Sequence, residues 1–229
     1  MDTMIRTEDL WKCYDDCSDH GTEALRGLYL EIQRGETAAL FGRSGSGKST
    51  LFNLIAGLDR PTRGRIFVDG RDIDEIGEEG RTRIRRERLG FVFQSFNLIP
   101  TLTVLENVQL PMQMLGRGRE AADEALKGVG LAGKERRFPH ELSGGEQQRV
   151  AIARAIVKEP VLILADEPTG NLDTETGDMI LDLLTGLCGR MAATLLMATH
   201  SQRASGIAGR VLTMQDGRII EDSGRGQPQ

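Results

Sequence analysis

The sequence predicts an α/β fold: a mostly parallel core sheet, an antiparallel β piece on its N-terminal side and an inserted helical block. Three observations lead there. Short apolar runs alternate with helix-like segments, as at Thr37–Phe41, Val161–Ala165 and Thr194–Ala198. A glycine-rich loop joins the first of these runs to the apolar-periodic Leu51–Ala56. Residues 103–158 are mostly helical by pattern and interrupt the alternation.

Taken in order, Ala24–Ile32 alternates apolar and polar residues, the mark of a half-buried antiparallel strand. After the turn Arg34-Gly35-Glu36, Thr37–Phe41 is continuously apolar, as a buried strand would be. The helix beginning in the glycine loop closes at Gly57, a residue suited to a C-cap. Ile66–Val68 runs as a strand into an Asp69-Gly70 turn. Between 78 and 88 lie Arg81, Arg83, Arg85, Arg86 and Arg88, which the acidic total assigns to a solvated helical face. Thr174–Leu187 reads as a helix, and Arg210–Ile220 as a hairpin turning at Asp216-Gly217. The chain, 1–229, is expected to be one domain, with the helical insertion at about 95–159 and a disordered polar tail at 223–229.

A net charge of −5 supplies no basic field, so nucleic acid is not an expected partner. Met1–Leu10 holds Asp2, Arg6, Glu8 and Asp9 and lacks the apolar stretch of a signal peptide. No run approaches the roughly 18 apolar residues that a membrane span needs. The expectation is a cytoplasmic chain that reaches the membrane only through a partner. Three cysteines, Cys13, Cys17 and Cys188, read as reduced thiols. Cys13 and Cys17 near His20 lack the C-x₂-C spacing and an obvious fourth ligand, so they are not taken as a metal site.

Gly42-Arg43-Ser44-Gly45-Ser46-Gly47-Lys48-Ser49, followed by Thr50, fits the phosphate-loop pattern in full and has the strand before and helix after that it requires. Its glycines let backbone amides wrap a phosphate chain, Lys48 brings positive charge to the β- and γ-phosphates, and Ser49 offers a hydroxyl to Mg²⁺. The run Val161–Ala165 ends in Asp166-Glu167. A carboxylate at the carboxyl end of a parallel strand sits where α/β sheets bind ligands. Asp166 is therefore the expected Mg²⁺ ligand and Glu167 the group that polarises the attacking water. These two motifs alone indicate only a P-loop NTPase, with Mg²⁺ at Ser49 and Asp166. A second anion site is expected where Ser143 caps a helix opened by Gly144-Gly145 and Glu146. One phosphate loop does not need two such sites, so this one is assigned to the nucleotide of another subunit.

The segment LSGGEQQRVAIARA, placed between the phosphate loop and ADEPTGNLD, resembles the signature of the ABC ATPases, and the resemblance extends over about residues 3–222. It implies the ABC ATPase fold, ATP hydrolysis, a homodimer with two ATP molecules between the copies, and integral-membrane permease subunits docking near Gln94–Val104. It also implies roles for further residues. Gln94 matches the glutamine loop linking metal and water to the permease, and Asn171-Leu172-Asp173 matches the D-loop that touches the other subunit. His200 matches the switch histidine at the γ-phosphate, and Tyr14 the ring stacked on adenine. Within the family, EALRGLYLEIQRGE, FVFQSFNLIPTLTVLENVQLPM and ADEPTGNLD are similar to the ATPase subunits of lipoprotein-releasing and macrolide-exporting systems. The alternative is an ATP-driven module that transmits force to a cell-envelope partner without moving a solute. Two positions depart from the group: Arg43 replaces a small residue, and Ser201 follows the switch histidine where Asp is usual.

Overall fold

The structure, a computed structural model, describes residues 2–14 and 22–224. Cys17, His20 and residues 225–229 of the expected tail lie outside them.

Two sheets form the frame. The first is antiparallel, in the order β2-β1-β4-β5, from β1 (Thr3–Tyr14), β2 (Thr22–Gln33), β4 (Arg63–Val68) and β5 (Arg71–Asp72). The second has the order β10-β9-β3-β8-β7-β6, from β3 (Thr37–Phe41), β6 (Leu89–Phe93), β7 (Leu162–Asp166), β8 (Thr194–Thr199), β9 (Arg210–Gln215) and β10 (Arg218–Asp222). Its strands β9, β3, β8, β7 and β6 run parallel, and only β10 turns back. Among the described residues, seven α-helices accompany the sheets: α1 (Lys48–Ile55), α2 (Gly77–Glu87), α3 (Val104–Gln113), α4 (Glu120–Gly128), α5 (Gly144–Ile156), α6 (Thr174–Met191) and α7 (Gln202–Ile207).

The central strands are apolar throughout because both faces of the sheet are covered. Ile163, Ala165, Leu195 and Met197 pack into a core with α3, α5 and α6. Their neighbours Leu162, Leu164, Leu196 and Ala198 point the other way, into a core with α1 and the antiparallel sheet. Each fully buried Leu or Ile contributes roughly 1.5–3 kcal/mol by leaving water.

Helix α1 ends in two bonds, Gly57 N–H to the Leu54 carbonyl (3.0 Å) and Leu58 N–H to that of Asn53 (2.9 Å), with Gly57 at φ +61°. This left-handed closure is why glycine stands there. The arginine-rich segment corrects one expectation. Arg81 on α2 is not on a solvated face: it is 2% exposed, its aliphatic stem against Gly57. Its guanidinium is satisfied by Glu78 (2.8 Å) and the Ile73 carbonyl (3.3 Å). Arg85 donates to Glu78 and to the Gly57 carbonyl, so α2 is pinned to the end of α1. Hydrogen bonds from Arg85 and then Arg81 hold the Glu78 carboxyl down to about 2.

Candidate functional site

The parallel register decides where the chemistry gathers. Phe41 pairs with Thr199, Asp166 with Ala198, and Phe93 with Asp166. The residues that follow these strands are the phosphate loop, Gln94, Glu167 and His200, so all four leave the sheet at one carboxyl edge. That edge is the crevice where open α/β sheets take ligands.

The phosphate loop is tightly built. Added Cβ atoms would lie 2.5 Å from the Met214 carbonyl oxygen at Gly42 and 2.5 Å from that of Ala24 at Gly47, and Gly47 has φ +103°. A side chain fits at neither position. Gly47 caps α1 without any side-chain bond, which leaves the first amides of the helix free of a protein cap. Lys48 is 6% exposed, and its ammonium donates to the carbonyls of Gly42 (2.8 Å) and Arg43 (3.0 Å). Arg43, Ser44 and Gly45 form the exposed tip, while Ser46 is buried. A cavity of about 480 Å³ lies between this loop and Thr213–Asp216.

Opposite Lys48, the Ser49 hydroxyl is within hydrogen-bonding reach of the Asp166 carboxylate. Burial pushes that carboxyl above its usual range, the Ser49 bond opposes the rise, and the charge of Glu167 adds to it. Two hard oxygens converging beside a phosphate loop fit Mg²⁺. Glu167 has the left-handed φ of +46°, its N–H bonded to the Ala198 carbonyl (2.9 Å). One carboxylate oxygen is 3.3 Å from His200 Nδ1. His200 itself is 64% exposed, held on a short connection before α7. Ser201, in place of the usual Asp, serves as the N-cap of α7 and accepts from the Ala204 amide at 3.5 Å. The departure at this hinge therefore keeps a cap.

The remaining predicted residues are spread more widely. Gln94 donates from its amide to Asn171 Oδ1 (3.4 Å), and Asn171 returns a bond to the Gln94 carbonyl (3.0 Å). The Gln94 amide nitrogen lies 2.6 Å from where a Cβ on Gly170 would stand. Tyr14 is 37% exposed, with its hydroxyl 3.0 Å from Asp59 and in reach of Thr50 on α1. Ser143 caps α5: it accepts from the Glu146 amide (3.3 Å), and Glu146 accepts from the Ser143 amide (3.0 Å). Glu146 is further held by Lys134. Gly145 has no room for a side chain, since a Cβ would meet Thr176 Cγ2 at 2.5 Å. The Ser143–Gly145 loop and Asn171–Asp173 line one shared cavity of about 270 Å³, and that cavity includes no phosphate-loop residue.

The sequence profile of the ABC transporter family matches residues 25–170, nearly two-thirds of the chain. The chain belongs to the ABC transporter family. It is an ATP-binding, ATP-hydrolysing cassette of that family. It is 50% identical over 202 residues to an uncharacterised ABC transporter ATP-binding protein of Mycobacterium tuberculosis, covering 86% of this chain and 82% of that one. It is 41% identical over 224 residues to the lipoprotein-releasing system ATP-binding protein LolD of Aquifex aeolicus, covering 96% and 97%. Among solved structures it resembles the dimeric post-hydrolysis state of the ATP-binding cassette MJ0796 bound to ADP and Pi, with a TM-score of 0.88 at 40% identity, covering 97% of this chain and all of that one.

Three residues of the cassette carry structural weight that the sequence reading did not assign. Arg154, on α5, donates to the carbonyls of Phe96 (2.7 Å) and Asn97 (2.5 Å), two residues with positive φ. Asn107 is fully buried and binds the carbonyls of Ile99, Leu102 and Thr103. Gln148 is fully buried on α5 and donates to the Pro168 carbonyl. A polar residue within the apolar face of a predicted helix was the available signal in each case. Among the described residues, no helix is long and apolar enough to cross a membrane.

Proposed function

We propose that two copies of this cassette close on two ATP molecules, each held by Lys48 and the phosphate loop of one copy and completed by Ser143-Gly144-Gly145 of the other. Closure and reopening then move integral-membrane subunits of the lipoprotein-releasing or macrolide-exporting kind. The observation that carries the reading is the convergence of Lys48, Ser49, Asp166, Glu167 and His200 on one sheet edge, while Ser143–Gly145 opens into a separate cavity. Half of an anion site displaced from the nucleotide has a use only in a second copy. The dimeric solved relative supports pairing of two copies, and the LolD relative supports a lipoprotein-releasing role.

In this mechanism Lys48 exchanges its two carbonyl partners for phosphate oxygens, and the open amides of α1 face the same charge. Ser49 and Asp166, with Gln94 as a third oxygen donor, would hold Mg²⁺, which neutralises phosphate charge when bound. Glu167 orients and polarises the water, and His200 contacts the γ-phosphate from the far side of Glu167. Tyr14, beside Thr50 and exposed at the start of the same helix, offers its ring to the adenine. Between α1, β6 and α5 lies a mainly apolar groove of about 320 Å³ lined by Leu58, Phe91, Phe93, Asn97 and Pro111. Together with exposed Ile99 it is the surface offered to the membrane subunit, and Leu98 packs inward on the core. The cassette thereby works from the cytoplasmic face of its partner.

Glu167→Gln tests the core of the reading. It should bind ATP as the wild type does, slow hydrolysis by about three orders of magnitude or more, and accumulate an ATP-bound dimer on size-exclusion chromatography. Turnover at the wild-type rate would remove Glu167 from its role.

A further inference from the structure

The backbone of Glu167 is held in a conformation that a glutamate does not choose. Its φ of +46° is left-handed, a strained state for an ordinary residue that persists only where neighbours enforce it. Two of the enforcing bonds are main-chain: Glu167 N–H to the Ala198 carbonyl (2.9 Å), and Gly170 N–H to the Glu167 carbonyl (3.0 Å). The third comes from a side chain. Gln148 Nε2 donates to the carbonyl of Pro168, the next residue, at 2.5 Å, and lies 3.4 Å from the carbonyl of Phe93, which precedes Gln94. Gln148 is 0% exposed, and its Oε1 is buried without a partner among the described residues. A fully buried amide with one unsatisfied oxygen is expensive to keep for packing alone, because an apolar side chain of that length would fill the same space without the penalty.

We infer that Gln148 is a positioning residue: it holds the Pro168 carbonyl, in the second peptide after Glu167, so that the carboxylate stays aimed at the water. It does so from α5, whose first turn is Ser143–Gly145. One amide therefore ties the loop offered to the partner's nucleotide to the strands carrying this copy's own Gln94 and Glu167. The inference rests on the reading of Glu167 above.

The test compares Gln148→Met, which keeps length and loses the donor, with Gln148→Glu, which places a carboxylate against two carbonyl oxygens. Rates are normalised to ATP-binding sites by nucleotide titration, so that any unfolded fraction drops out. We expect kcat to fall about tenfold in Gln148→Met, the effect of one lost buried donor, and further in Gln148→Glu, with the KM for ATP unchanged. A packing role predicts instead that Met matches the wild type. Wild-type kcat in Gln148→Met beside an inactive Glu167→Gln overturns this inference and leaves the base in place. So does a loss shared equally between kcat and ATP affinity. Wild-type turnover in Glu167→Gln overturns both.

Discussion

Two helices of this cassette begin in glycine-rich loops, and they are finished differently. At α1 the cap is Gly47, no side chain satisfies the first amides, and Lys48 stands buried with only carbonyl partners. At α5 the cap is Ser143, it exchanges bonds with Glu146, and the nearby cation Lys134 is already paired with that glutamate. On the proposed reading the first end is an anion site in its own right. The second is self-satisfied at its cap and opens its glycines, beside Arg149, into a cavity apart from the phosphate loop, so on the proposed reading it completes a site for phosphate that another copy's loop holds. The same helix-dipole physics thus yields a grip in one place and a latch in the other.

The contrast can be broken from the α1 side first. Lys48→Ala should weaken ATP binding by about 100-fold or more, since a buried ammonium shared with phosphate is among the strongest single contacts available. Equilibrium titration with a fluorescent ATP analogue measures it, and an unaltered Kd would mean the grip lies elsewhere. On the α5 side, Gly145→Val forces methyl groups into Thr176, 2.5 Å from even a Cβ. The ATP-trapped dimer of the Glu167→Gln background should disappear while monomer affinity for ATP holds. A dimer that survived this change would contradict the latch. Ser143→Ala is milder. Loss of the cap should cost about 1 kcal/mol and lower Tm by a few degrees, read by thermal unfolding without nucleotide.

The smallest effect concerns pH. The Lys134 bond, and next the Ser143 amide, hold the Glu146 carboxyl below its usual range. A carboxylate depressed in the folded state contributes stability above its unfolded value, about 4.3, and loses it as pH falls through the lower folded value. Urea midpoints below about pH 4.3 should therefore drop more steeply for the wild type than for Glu146→Gln. Parallel curves would detach Glu146 from the cap.

How much of this was legible varied with the kind of information each segment carries. β3, β7 and β8 are largely apolar runs because both faces are covered, by helices on one and by α1 with the antiparallel sheet on the other, and such runs announce themselves. β1 does not: Thr3–Tyr14 mixes charges with Met4, Ile5 and Leu10, and its register slips at several points, so its period-2 signal is broken. β6 was hidden inside the glutamine-loop phrase, and α7 is six residues long, too short for a helical period. Motif spacing located Lys48, Asp166 and Glu167, and strand register alone brought them together. Motif spacing left out Gln148, whose one signal, a polar residue on the apolar face of a predicted helix, says nothing of what it binds until its surroundings are known. Arg81 was misjudged for the same reason: five arginines in eleven residues look like a wet surface, and one of them folds inward.

Arg43 engages the phosphate loop through its carbonyl oxygen, while its side chain extends outward from the tip. The resting place of the Lys48 amine is thus set by main-chain atoms that every amino acid supplies. A change of side chain at position 43 therefore leaves both acceptors of the Lys48 amine in place.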